Sequence, residues 1–315
     1  MRIWLAVLLA GTAAHAEVSV KEYAIPPGHG IHDVWAGGAP GDPVWFSAQR
    51  SGHLGILDPK TGGVQLIALG RGSAPHGVVA GPDGAAWLTD GGRNAIVRVD
   101  THTRAVRSWK LPGNDYANLN TATFDGAGMH WFTGQSGIYG RLDPASGAMA
   151  VFAAPKGVGP YGIASTPGGA VYFASLAGSY VARIDTASGA ATVLGPPTPR
   201  QGARRVWPDS KGNVWVSEWN SGNLSRYSPA SGRWSTWRAP GEEPRLYAVY
   251  VDARDQVWAS EWSAQVMLRF DPTREKFEVF RSSSSTANVR QIHGRRGEVW
   301  TPESAADKIV VYRYD

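Results

Sequence analysis

Two sets of side chains recur in a fixed frame along the 315 residues. Asp90, Glu218, Glu261 and Glu303 each stand three positions after an aromatic: Trp87, Trp215, Trp258 and Trp300. The second set precedes the aromatics and comprises His32, His76, Asn120, Tyr161, Arg204, Tyr247 and Arg290. Gathered at one place, these residues could do two kinds of chemistry. Glu218, Glu261 and Glu303 would offer oxygen ligands to a hard divalent cation, Mg2+ or Ca2+. A histidine or carboxyl group beside them would move a proton. The opposing reading is that Arg204 and Arg290 pair with the glutamates and fill a polar channel that does no chemistry.

The aromatics themselves show what would gather these residues. Trp45, Trp87, Trp131, Tyr172, Trp215, Trp258 and Trp300 follow one another at intervals of 41 to 44 residues, each in a short run of strand-forming residues such as Val214-Trp-Val-Ser. A period in this range marks a repeat architecture. Each copy reads as four short strands: an apolar run, a glycine-containing turn, the aromatic strand, a third strand ending in Asp or Ser, and a fourth. Such a unit cannot cover its own faces, so seven stacked around an axis give an all-β, seven-bladed β-propeller. The seventh copy has no fourth strand, and Val20-Lys-Glu-Tyr-Ala-Ile-Pro26 matches that strand type. Residues 18–26 are therefore expected to close the last blade and cover its edge. The start of each inner strand and the end of the next lie on one rim, so the two side-chain sets meet at one channel mouth. A convergent polar mouth is the default ligand site of this shape.

Composition narrows the setting. Met1-Arg2, the apolar run Ile3 to Leu9 and Ala14-His-Ala16 predict a signal peptide cleaved after Ala16, leaving residues 17–315 as one domain exported to the periplasm or beyond the cell. No other stretch is long enough to span a membrane. The chain has no cysteine, which removes disulfides, thiolate ligands and cysteine nucleophiles. Its net charge of +5 is spread out, and Arg204-Arg205 and Arg295-Arg296 are isolated pairs, which argues against a nucleic-acid partner. A monomer with a small molecule in the channel mouth is expected. His53, His102, His130 and His293 lie outside the mouth frame and are read as structural. No GxSxG, HExxH, Walker A or EF-hand pattern occurs, and Gly157-Val-Gly159-Pro-Tyr-Gly162 falls between two blades as turn glycine.

Pro75-His-Gly-Val, Pro160-Tyr-Gly-Ile, Trp215-Val-Ser-Glu-Trp, Trp258-Ala-Ser-Glu-Trp and Asp307-Lys-Ile resemble the repeat of the streptogramin B lyases, also called virginiamycin B lyases. The resemblance covers all seven units, from about Val18 to Asp315. It implies a seven-bladed propeller that opens a cyclic depsipeptide by Mg2+-dependent elimination. Carried over by position, Glu303 keeps a family glutamate. Arg290 stands where the family has its general-acid histidine, Tyr247 where it has a second histidine, Asn288 where it has a glutamate, and His32 where it has a tyrosine. An arginine cannot give up a proton at ordinary pH. The resemblance thus implies a lyase with an altered site on a small cyclic or ester substrate, with Glu303, Arg290, Tyr247 and His32 as catalytic candidates. His76, Asp90, Tyr161, Arg204 and Asn288 are binding candidates. His32, His76 or Tyr247 would take over the proton. The alternatives are a non-catalytic propeller that binds a ligand or protein and, third, a metal-dependent lactonase.

Overall fold

The computed structural model describes residues 18–113, 115–195 and 198–314. The expected signal peptide lies outside them. The described chain forms seven four-stranded antiparallel sheets. Blades 1 to 6 each use four consecutive strands. Blade 7 takes its outer strand from the N-terminus, with Ser19–Ala24 pairing with Lys308–Arg313 in full register. The closure expected from the missing fourth strand is therefore present. No helix long and apolar enough to cross a membrane occurs among the described residues.

The repeated aromatics do what their spacing predicts. Trp87, Trp131, Trp215, Trp258 and Trp300 are fully buried between blades, and Tyr172 nearly so, while Trp45 is half-buried. Each fully buried indole N–H donates to a carboxylate two to six residues before it: Asp83 (3.1 Å), Asp125 (2.7 Å), Asp209 (3.1 Å), Asp252 (2.8 Å) and Glu298 (3.0 Å). These acids satisfy the one polar atom of a buried Trp. Glycine in the third strand is required where the residue after the aromatic packs: a Cβ on Gly55 would lie 2.0 Å from the Phe46 ring, and one on Gly140 2.5 Å from Phe132.

The inner strands carry a feature that sets the site. In blades 1 to 6 the pairing with the second strand slips by one residue, between Ile31/Val34, Pro75/Val78, Leu119/Ala122, Pro160/Ile163, Ala203/Arg205 and Leu246/Val249. Blade 7 slips likewise between the Val289–Glu303 bridge and the His293–Trp300 pair. Such β-bulges re-aim side chains. Here they fall on His32, His76, Asn120, Tyr161, Arg204, Tyr247 and Arg290 and on the residue after each.

In blades 1, 2, 3, 5 and 6 a hydroxyl two residues after the aromatic accepts from the bulge. Ser47, Thr89, Ser217 and Ser260 accept the bulge N–H of their own blade, from Asp33 (2.9 Å), Gly77 (2.9 Å), Arg205 (3.1 Å) and Ala248 (3.0 Å). Ser47 and Ser217 also donate to the His76 carbonyl (2.6 Å) and the Tyr247 carbonyl (2.7 Å) of the next blade, and Thr89 and Thr133 donate to the Asn120 and Tyr161 carbonyls. Ala174 and Pro302 occupy this position in blades 4 and 7, which lack the link. Ser217→Ala would leave the Arg205 N–H and the Tyr247 carbonyl without this partner. A loss of about 1–3 kcal/mol in urea unfolding is expected.

Candidate active site

The bulges bring the expected first set together around the axis. His32 and His76 pack against each other with ring centroids 3.8 Å apart and planes tilted by 46°. Asn120 Nδ2 lies 3.1 Å from His76 Nε2. The hydroxyls of Tyr161 and Tyr247 are 2.5 Å apart, and Arg204 Nη2 donates to the Tyr161 hydroxyl at 3.1 Å. The Arg204 guanidinium covers the Tyr247 ring at 3.3 Å and Trp219 at 4.2 Å, and Arg290 lies 5.2 Å from Trp262 and 6.0 Å from Tyr247. His32, His76, Asn120, Tyr161 and Tyr247 are buried, and Arg204 and Arg290 are half-buried.

One layer deeper, a buried ion pair crosses the channel. Asp33 of blade 1 accepts two N–H groups of Arg205 of blade 5, at 3.1 and 3.4 Å, and Arg205 also donates to the Arg290 carbonyl of blade 7 at 3.2 Å. Asp33 accepts from His32 Nδ1 as well, at 2.8 Å. That bond fixes the neutral imidazole with its proton on Nδ1 and its lone pair on Nε2, which makes no hydrogen bond among the described residues. Burial, reinforced by the charges of Arg205 and Arg290, holds His32 below its ordinary value despite Asp33, so the ring is neutral at neutral pH. Burial holds His76 well below its ordinary value as well. Burial would raise the Tyr247 hydroxyl, but Arg204 and Arg205 outweigh it and hold Tyr247 below the ordinary tyrosine value. Tyr161 is pushed up to about 12 by burial and by Tyr247. The mouth thus holds a neutral imidazole with a free lone pair, aligned by a carboxylate, beside two guanidinium groups.

The acidic set behaves differently. Asp90 accepts from the Ser73 hydroxyl and the N–H groups of Ala74 and Arg93. Glu218 accepts from the Ser221 and Ser225 hydroxyls, and Glu261 from the N–H groups of Arg245, Ser263 and Ala264. Glu303 accepts from Ser282 at 2.6 Å, and its second oxygen is buried without a partner. Glu218 is held within its own blade, Asp90 and Glu261 by the turn that follows and the link that precedes the blade, and Glu303 by the link after blade 6. The expected trio of Glu218, Glu261 and Glu303 does not converge on one ion. Among the described residues the only His/Asp/Glu group close enough to share an ion is His32, Asp33 and His76, with ligand atoms within 4.8 Å of one another. Nor do Arg204 and Arg290 pair with the glutamates; neither makes a salt bridge among the described residues. Asn288 also lies off the mouth: its backbone is left-handed (φ 52°) and its side chain and N–H are held by Gln265.

A cavity of about 650 Å3 opens at the other end of the axis, walled by Trp35, Phe124, Trp207 and Tyr250. His293 lies against three of these rings. Of the aspartates there, Asp125, Asp209 and Asp252 hold indoles, and Asp255 accepts from the Ser210 N–H and hydroxyl.

A profile described as the virginiamycin B lyase family matches residues 1–267. The chain belongs to the virginiamycin B lyase family. Its fold is similar to the crystal structure of virginiamycin B lyase from Staphylococcus aureus (TM-score 0.86, 20% identity, 95% of this chain and 100% of that one). A second solved structure, of streptogramin B lyase, has TM-score 0.86 and 19% identity over 95% and 98% of the two chains. A third is a catalytically inactive histidine-to-alanine variant of the S. aureus lyase with quinupristin (TM-score 0.85, 20% identity, 95% and 100%). No curated protein matches the sequence.

The virginiamycin B lyase pattern led to His32, Tyr247 and Arg290, which the structure places on one ring, to Asn288, which is held by Gln265, and to Glu303, which ends its strand and is held by Ser282. Sequence reasoning missed Asp33 and Arg205, the latter read as half of a surface pair; the signal was their place directly after a mouth residue in each copy. Trp219 and Trp262 were also missed. Each follows the glutamate in the repeated Ser-Glu-Trp, so the period marked them too. Mg2+, which the lyase resemblance implies, takes oxygen ligands. Two imidazoles and a carboxylate already held by Arg205 are a poor donor set for it. The described side chains do not fit a protein-held Mg2+ or Ca2+.

Proposed function

We propose that this propeller is an exported lyase of the streptogramin-lyase type that opens a small cyclic or ester substrate by elimination, with His32 in charge of the proton. The observation that carries this reading is the Asp33–His32 hydrogen bond, which leaves the Nε2 lone pair of a neutral ring without a hydrogen-bond partner, within the field of Arg205 and Arg290. In the step, His32 Nε2 takes a proton from a carbon next to a carbonyl. The C–H electrons form a carbon–carbon double bond as the ester C–O bond breaks, and the leaving oxygen departs as a carboxylate. Asp33 stabilises the imidazolium that forms, and the guanidinium groups oppose charge building on the carbonyl oxygen. Arg290 cannot serve as the acid at the family's histidine position, so the proton route differs from that of the lyases it resembles.

The test is incubation of the mature protein with streptogramin B and with simpler cyclic esters, with and without Mg2+. The expected result is ring opening of at least one ester, undiminished by EDTA. A protein that leaves every cyclic ester intact but is thermally stabilised by one of them would instead be a binding propeller.

A further inference from the structure

The bulge-end rim carries cations without counter-charges. Arg204, Arg245 and Arg290 belong to blades 5, 6 and 7. Each guanidinium presents a fork of N–H donors, yet among the described residues only one hydrogen bond leaves the three side chains, from Arg204 to Tyr161. Arg204 Nε is buried and unpartnered. The carboxylates that could have paired with them, Glu218, Glu261 and Glu303, are held by nearby hydroxyl and N–H groups. Aromatic rings alternate with the guanidinium groups. Arg204 and Arg245 lie 4.2 and 5.6 Å from Trp219, and Arg290 lies 5.2 Å from Trp262. Trp219 and Trp262 meet edge to face at 5.8 Å, and Trp262 stacks on Tyr247 at 5.1 Å. Both tryptophans are half-buried and keep exposed surface.

Cation–π contact holds a guanidinium in place but neither neutralises its charge nor occupies its in-plane donors. What completes such a group is a planar oxyanion, taken in the plane of the fork. The flanking indoles add a flat surface for a ring. The reading of the mouth as a lyase site agrees with this, since the carbonyl next to the carbon that loses a proton can be that of a carboxylate, whose growing charge the cations stabilise.

We infer that this mouth takes a substrate in which a carboxylate is carried on a ring, the carboxylate held by Arg204 and Arg290 and the ring set against Trp219 and Trp262. The inference rests on the lyase reading for its place in a reaction, and its binding part can be tested alone.

Titration of the mature protein with benzoate and with its neutral analogue benzamide, followed by tryptophan fluorescence, reads the binding directly. Benzoate is expected to give a saturable change that weakens with added salt, with benzamide at least tenfold weaker. Arg290→Gln, whose side chain makes no hydrogen bond among the described residues, should weaken benzoate at least tenfold while leaving the melting temperature unchanged. Arg204→Lys keeps the charge but loses the fork, and should weaken it as well. Equal binding of benzoate and benzamide, or unchanged benzoate affinity in Arg290→Gln, would overturn the inference. Inorganic phosphate binding more tightly than benzoate would overturn the carboxylate assignment. Ester opening by a protein indifferent to benzoate would count against this inference alone. Benzoate binding with no ester opened would count against the lyase reading alone.

Discussion

Replacing Asp33 by alanine is expected to destabilise the protein by about 3–5 kcal/mol, the range for removing one partner of a buried ion pair. Asp33 and Arg205 are both buried, come from blades 1 and 5, and meet across the axis, so the change leaves a guanidinium without its charge partner at the centre of the ring. A second change should recover much of the loss: Asp33→Ala with Arg205→Met replaces the pair by apolar atoms and removes the orphaned charge. Burial alone would raise the Asp33 carboxyl, but the Arg205 charge and the His32 hydrogen bond hold it far below the ordinary aspartate value. A depressed folded value stabilises the native state above the unfolded value of about 3.9, and that contribution is lost as pH falls below it. Urea midpoints measured between about pH 6 and 3 should therefore fall more steeply for the native protein than for the double variant. Parallel curves would show that the pair does not carry this share of acid sensitivity.

His32→Gln is expected to lower kcat/KM for ester opening by about 10²–10⁴-fold, the usual contribution of a positioned general base. The fold should survive, because glutamine can keep the hydrogen bond to Asp33. His32 is needed in its neutral form, and burial lowers its folded value from 6.5. The acid limb of the native pH profile should accordingly lie below about pH 6.5, the ordinary histidine value. His76→Gln should do less, since His76 is engaged by Asn120 and its Nδ1 is buried. If His76→Gln is the more damaging of the two, the base has been placed on the wrong ring of the packed pair.

Much of the architecture was legible in the chain because a propeller repeats its physics. A Trp that must be buried between blades recurs once per blade, and the missing fourth strand of the last copy pointed to Val20–Pro26. The mouth positions followed from strand order alone. What each side chain does there was less legible. A glutamate at the end of a second strand can face the axis or satisfy the N–H groups and hydroxyls of the loops beside it. Glu218, Glu261 and Glu303 do the latter, and nothing in their spacing separates the two. The bulge was hidden as well, because a one-residue slip leaves the period intact while turning both His32 and Asp33 toward the axis. The Asp33–Arg205 pair joins residues 172 apart in sequence, a contact that only ring closure creates. Arg204 and Arg205 are neighbours with different surroundings, one half-buried among aromatics and one buried in an ion pair, and composition treats them alike.

The central claim, that His32 drives an elimination at this mouth, is tested most directly by the mass of the product. A cyclic ester opened by the mature protein in 18O-labelled water should give a product of unchanged mass, isomeric with the substrate and free of label. A product heavier by one labelled water would mean hydrolysis and would contradict the account.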